Sequence, residues 1–417
     1  MMKGNLKIHN ATIVTPLGRE VAQGAAMSEL SIVKDGLIII TGGIISYAGP
    51  ASEAPATRPD EHYIEYDAKG CVALPGFVDS HTHLVFGGFR PDEFQWRLKG
   101  ESYMSIMERG GGIQSTVNAT REASEEELYR RAMWFIDRMS EMGVTTVEAK
   151  SGYGLDLDTE LKMLDVIARL ASDQDCKADV VATFLGAHAV PKEFAGRTSE
   201  YIDYIITEVL PKIKDKARFC DVFCERNVFE IEDSRRLLQA AEEMGLKLKL
   251  HADEIVQLGG GELAAELKAV SADHLLHVSD EGIRKMADNG VVATLLPLTA
   301  FALKEPYAPA RKFIDGGAAV ALATDLNPGS CFSGSIPLTI ALACIYMDMT
   351  VEEVITALTL NGAAALGMAD RIGSLEGGKR GDVAILATDN YNVLPYYVGM
   401  NCVKTTVRGG CIVAELK

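Results

Sequence analysis

Residues 75–89 read PGFVDSHTHLVFGGF, and the chain changes character at this stretch. A Pro-Gly pair opens it, the apolar Phe77-Val78 follows, and His81 and His83 stand at alternate positions after Asp79. In an extended strand residues i and i+2 point the same way. Both imidazoles therefore fall on one side of a strand end, close enough to share a metal ion. An H-x-H alone is an unspecific signal, as readily core packing as ligation. Its meaning depends on what the rest of the chain brings beside it.

Upstream, residues 1–72 read as short strands at Leu6–Ile8, Ala11–Val14, Leu30–Lys34, Leu37–Ile40, Ile44–Ala48 and Tyr63–Asp67, punctuated by glycines. Downstream, residues 73–367 repeat strand, loop, helix. The strand starting at Phe77 is followed by an insertion and a helix over Ser124–Met142, opened by a Ser124/Glu127 capping box and closed by Gly143. Further strands fall at Val144–Glu148, Val180–Leu185, Cys220–Phe223, Leu246–Leu250, Ala272–Leu275, Val291–Leu296 and Val320–Thr324. Helices alternate with them at Asp158–Ala171, Thr198–Ile213, Ile231–Met244, Gly261–Lys268, Asp280–Asp288, Ala310–Ile314, Ile336–Tyr346 and Val351–Leu366. The strands are short and lack polar alternation, as strands covered on both faces do. The pattern predicts an α/β chain with a (β/α)8 TIM barrel. A doubly wound sheet is disfavoured because no Gly-x-Gly-x-x-Gly follows the first strand; Gly110–Gly112 reads as a tight turn or ligand contact. Over residues 368–417 strand character returns at Asp382–Leu386, Val403–Val407 and Cys411–Ala414, which predicts a small composite β-sandwich formed by the N- and C-terminal segments.

Composition sets limits. A net charge of -17 argues against nucleic-acid and anionic-membrane partners, and it means that an anionic substrate needs a local cation. No run approaches ~18 apolar residues, and the N-terminus lacks a signal-peptide core. The eight cysteines form no C-x-x-C pair, so reduced thiols in a cytoplasmic enzyme are expected. Cys220 and Cys224 read as strand residues near the barrel core.

In such barrels chemistry sits at the C-terminal strand ends. Of the eight histidines, His81, His83, His188, His251 and His274 fall at expected strand ends, and His277 is close by. Shared ligation explains this concentration better than separate structural roles. The expected ligands are His81, His83, His251 and Asp325. Three imidazoles and a carboxylate suit one Zn²⁺ or Fe²⁺ rather than Mg²⁺ or Ca²⁺. Asp325 can also accept a proton from water. His274 is placed to steady a nucleophile or oxyanion, and Glu254, one turn past His251, to move protons to a leaving nitrogen. Arg90, in the first strand-to-helix loop, suits a substrate carboxylate. Tyr153, between glycines, suits a loop near a ligand, and His277 reads as structural. A carboxylated, bridging Lys150 is disfavoured, because such a group is expected after strand 4, not strand 2.

Several segments resemble the mononuclear branch of the amidohydrolase superfamily: DSHTHLVFGGFRPDEF, GGGIQSTVNATREAS, VEAKSGYGLD, TFLGAHAVP, HADEI and ATDLNPGSC. Within it the GGGI loop, SGYGL and GAHAVP resemble the ring-opening hydrolases of histidine degradation. The resemblance runs nearly the full length. It implies hydrolysis of 4-imidazolone-5-propanoate to N-formimidoyl-L-glutamate. It carries the metal ligands onto His81, His83, His251 and Asp325, and the catalytic histidine onto His274. It carries substrate contacts onto Arg90, Tyr153, His188, Glu254, Asn327, Gly329 and Ser330; His188, Asn327, Gly329 and Ser330 rest on it alone. A homodimer is expected, since dimers are common for this architecture. The rival readings are a cytosine- or guanine-type deaminase, which would release ammonia, and a catalytically dead scaffold, which would have lost ligands; no ligand is missing here.

Overall fold

The computed structural model describes residues 4–57, 62–100 and 111–416. Gly110, the first glycine of the expected 110–112 turn, lies outside them. Among the described residues, sixteen strands form two sheets of eight. The first sheet draws on both ends of the chain: β1 (Leu6–Pro16), β2 (Leu30–Thr41), β3 (Ile44–Pro50), β4 (Ile64–Asp67), β5 (Val72–Pro75), β14 (Val383–Leu386), β15 (Val403–Arg408) and β16 (Cys411–Glu415). Their order is β16-β15-β14-β5-β1-β2-β3, with β4 paired to β1. Two pairs of short strands expected near the N-terminus are single long strands. Asn10 and Asp35 take positive φ (54° and 50°) inside them, and short polar side chains tolerate that conformation. Leu6, Ile8, Ile38, Ile40, Val383 and Ile385 form this sheet's own small core.

The second sheet is the barrel, all parallel: β6 (Phe77–Asp79), β7 (Val144–Lys150), β8 (Asp179–Ala187), β9 (Phe219–Cys224), β10 (Lys247–Ala252), β11 (Ser271–His274), β12 (Val292–Leu295) and β13 (Ala319–Leu322). It closes just past the ends of β6 and β13. Asp325 donates its N–H to the His81 carbonyl (3.0 Å), and His83 donates to the Leu326 carbonyl (2.9 Å). The buried Asp79 carboxylate locks this seam by accepting from the Thr324 N–H (3.0 Å) and hydroxyl (2.6 Å). The seam thus sets His81 and His83 beside Asp325.

Outside the barrel, the helix Glu125–Glu141 carries the expected capping box and packs Leu128, Ala132, Phe135, Ile136 and Met139 inward. The uniformly apolar strands anticipated from sequence carry charged and polar side chains on their inner face. Inside, Glu148, Lys150, Thr183, Asp221, Lys249 and Asp273 are all fully buried. The single helices expected at Thr198–Ile213 and Val351–Leu366 are interrupted. In the first, a π turn at Ile205–Val209 precedes Pro211, whose missing N–H breaks the ladder. The second bends at Thr359, whose hydroxyl bonds back to the Ile355 carbonyl (2.6 Å). Helices at Pro91–Leu98, Ile113–Glu122, Pro297–Leu303 and Val393–Tyr396 were not anticipated. Among the described residues no helix is long and apolar enough to cross a membrane.

Asp179 at the start of β8 pairs with both Arg380 and Arg408 of the first sheet, tying it to the barrel. Asp179→Ala leaves the buried Arg408 guanidinium without its carboxylate and Arg380 with Asp382 alone. It is expected to destabilise the protein by about 3 kcal/mol in chemical denaturation.

Candidate metal centre and active site

The barrel mouth holds a cavity of about 570 Å³. His83, Arg90, Tyr153, His188, His251, Glu254, His274, Asp325, Asn327, Gly329 and Ser330 all line it. His81 lies just beneath, fully buried. The structure therefore brings together every site residue expected from sequence.

At the cavity floor the Nε2 atoms of His83 and His251 are 3.4 Å apart. Asp325 Oδ1 lies 3.5 Å from His83 Nε2 and 3.6 Å from His81 Nε2. His81 Nε2 and Asp325 Oδ1 are buried with no hydrogen-bond partner. Ligand atoms about 2.1 Å from a tetrahedral ion stand about 3.4 Å from one another, so the spacing and the unpartnered atoms both fit one metal ion. Asp325 keeps its other oxygen for the Thr299 hydroxyl (2.6 Å), which orients the carboxylate.

The orientation of two imidazoles comes from below. His81 Nδ1 is 2.6 Å from Asp273, and His251 Nδ1 is 3.1 Å from Asp221. A carboxylate accepts, so each Nδ1 carries the hydrogen and each Nε2 offers its lone pair upward. Burial opposes ionisation of Asp221, but the Lys150 ammonium and the hydrogen bonds from His251 and Lys150 outweigh it and hold the pKa well below the usual range. Lys150 Nζ sits 2.7 Å from Asp221 and 2.9 Å from Glu148, and Lys249 Nζ 2.9 Å from Glu148. Burial alone would lower the Lys150 pKa; Asp221, Glu148 and Asp273 reverse that and raise it. Lys150 is thus an ammonium in an ion network, not a bridging ligand. Two ammoniums against three carboxylates leave one negative charge; Asp325 adds a second, matching a divalent ion.

His188 stacks on His83 with ring centroids 4.8 Å apart, and its Nδ1 is 3.1 Å from the Gly152 carbonyl. A carbonyl only accepts, so Nδ1 donates. Burial, then the neighbouring His251, lower its pKa to about 3, so the ring is neutral with Nε2 free to accept. Tyr153 lies 5.1 Å from it, ring to ring. His274 Nε2 is 3.5 Å from Glu254 Oε2, while its Nδ1 is buried and unpartnered. Burial, then the Asp325 charge, push Glu254 up to about 8. Glu254 stands on a loop before the helix Gly260–Glu266, not on a helix turn. Arg90 Nη1 is 3.5 Å from Glu93, and Arg90 Nε is buried without a partner.

Sequence reasoning missed Glu93, Arg97, Thr299 and Glu305, which also line the cavity. It also missed Lys249, although the alternation KLKLH puts Lys249 on the same strand face as His251.

The barrel, its composite sheet and the three-histidine, one-aspartate floor define a metal-dependent hydrolase architecture. The sequence profile described as Amidohydrolase family matches residues 72–413. A curated protein from Phocaeicola vulgatus named Imidazolonepropionase is 64% identical, covering 99% of both chains. One of the same name from Clostridium tetani is 56% identical, again over 99% of both. Among solved structures, a 5-methylcytosine deaminase from Klebsiella pneumoniae superposes with TM-score 0.74 at 17% identity, over 99% of this chain and 98% of that one. E. coli guanine deaminase gives 0.70 at 15%, over 100% of both; these distant matches bear on the fold alone. The chain belongs to the amidohydrolase family, among its members named imidazolonepropionase.

Removing the carboxylate charge under either histidine tests the centre. Asp221→Asn and Asp273→Asn are each expected to weaken metal binding about 10- to 100-fold. Competition with a chelator, read as retained metal per chain, measures it.

Proposed function

We propose that the protein hydrolyses the cyclic amide of 4-imidazolone-5-propanoate to N-formimidoyl-L-glutamate, the ring-opening step of histidine degradation, with one zinc or iron ion. The observation that carries this is the pairing, in one cavity, of a hydrolytic metal centre with Arg90, whose unpartnered buried Nε suits a substrate carboxylate. The relatives' names agree with it.

His81, His83 and His251 through Nε2, and Asp325 through Oδ1, would hold the ion. When bound, it supplies Lewis acidity to the ring carbonyl and lowers the pKa of water near it. Arg90 holds the propanoate, which orients the ring over the floor. His188, neutral with Nε2 open, accepts a hydrogen bond from the substrate, and Tyr153 closes the same side. Asp325 takes the proton of the attacking water. The unpartnered His274 Nδ1 is available to the oxyanion that forms on the carbonyl. As the ring C–N bond breaks, nitrogen needs a proton. Glu254, at about 8, still carries one at neutral pH and delivers it. Asn327 spends its amide on the backbone N–H groups of Gly329 and Ser330 (both 2.8 Å), so it shapes the loop that faces the substrate.

Ultraviolet loss of imidazolonepropanoate by metal-replete protein, with the product identified by mass, tests the reading; no turnover, or ammonia release, would overturn it. In that assay Arg90→Ala should raise KM about 10- to 100-fold with kcat and metal content little changed. Loss of metal in this variant would contradict Arg90's role. A raised carboxyl pKa means the acid form works below it, so kcat should fall as pH rises through about 8. Glu254→Gln should lower kcat at least about 100-fold and abolish that limb.

A further inference from the structure

The helix Pro91–Leu98 has no buried residue, yet it carries two charged side chains into the cavity wall, Glu93 and Arg97. Its polar ties are specific. Glu93 Oε2 accepts from the Gly112 N–H (3.0 Å), and Arg97 Nη2 donates to the Gly329 carbonyl (3.1 Å). Arg90 meets the same glycine: a Cβ built on Gly329 would stand 2.0 Å from Arg90 Nη2. Two guanidiniums thus converge on one residue whose missing side chain leaves room for them. Burial, then the like charge of Arg90, hold the Arg97 pKa below its usual value, with Glu93 acting in the opposite direction.

Like charges gathered in a part-buried wall call for an anion. Glu93 is the one carboxylate paired there among the described residues, and its contact with Arg90 is long, at 3.5 Å. Among the described residues, these two guanidiniums and the one carboxylate paired with them leave a single positive charge, on a chain whose net charge is -17. Arg97 spends one donor on Gly329, and a guanidinium has five in a planar fork.

We propose that Arg97 is the second arm of a two-arginine clamp on the substrate's carboxylate, with Arg90 as the first. This rests on the ring-opening reading above for the identity of the substrate. Arg97 holds the Gly329 carbonyl with one donor and turns the rest of its fork to the propanoate. The clamp makes the cavity selective for a monoanionic side chain over a neutral one of the same shape.

The test uses the metal-loaded full chain and two ligands whose ring has no cyclic amide to open, 3-(imidazol-4-yl)propanoate and its propanamide, titrated by calorimetry. The parent should prefer the carboxylate. Arg97→Ala should weaken carboxylate binding about tenfold and leave the propanamide nearly unchanged. Arg97→Gln keeps a donor for the Gly329 carbonyl but loses the charge; it should lose the same preference while remaining as stable as the parent. Arg97→Lys should recover only part of it, because an ammonium lacks the fork. A carboxylate-to-amide ratio unchanged in Arg97→Ala and Arg97→Gln overturns the proposal. So does equal weakening of both ligands, which marks Arg97 as a structural latch alone. A parent that binds with this preference but opens no imidazolone ring would overturn the reaction and leave the clamp standing.

Discussion

Everything at the barrel mouth depends on one buried layer of charge. Asp221 and Asp273 reach up to His251 and His81; Lys150, Lys249 and Glu148 reach across to them. Burying five charged groups is unfavourable unless each finds a partner. Here each does, and the cost is offset by what the layer fixes: the tautomer and the aim of two imidazoles. Without the ammoniums, three carboxylates would repel one another, and protonation would relieve the strain. A protonated Asp221 or Asp273 would no longer favour Nδ1–H on its histidine, and Nε2 would lose its free lone pair. The lysines therefore act on the floor of the cavity without reaching it.

The same device recurs in the loops. The Glu160 carboxylate accepts from the N–H groups of Gly154 (2.8 Å) and Leu155 (3.0 Å), which moulds the turn that carries Tyr153. Asp253 gathers the N–H groups of Leu258 to Gly261, and Glu225 takes that of Ile255 (2.8 Å), so the loop bearing Glu254 is held on both flanks. Arg131 anchors the first loop by donating to the Phe86 carbonyl (2.8 Å) and lying 4.4 Å from the Phe89 ring centre. Loops that must face a ligand cannot bury apolar residues there. Buried acceptors for their backbone N–H groups give them rigidity instead.

Much of this was legible in the chain. The alternate spacing of His81 and His83 named a strand face, and the clustering of histidines at strand ends named a shared site. Arg90 was legible because an acidic protein needs a local cation for an anionic substrate. Arg97 was not: seven residues beyond Arg90, it reads as one more surface arginine until the loop after β13 folds against it. Thr299 was not legible, because its role depends on the unanticipated helix Pro297–Leu303 after β12, which sets its hydroxyl beside Asp325.

The sequence by itself determined the strand–helix alternation, the strand character of both chain ends, and which side chains could ligate. These follow from local periodicity and residue chemistry, which need no knowledge of neighbours. Only the tertiary structure decided how the barrel closes, which nitrogen of each histidine faces the ion, and which buried charges stand behind them. Those depend on pairs far apart in the chain, such as His81 with Asp273 and Thr324 with Asp79. A carboxylate's partner is set by where the closed barrel places it, and no local pattern encodes that.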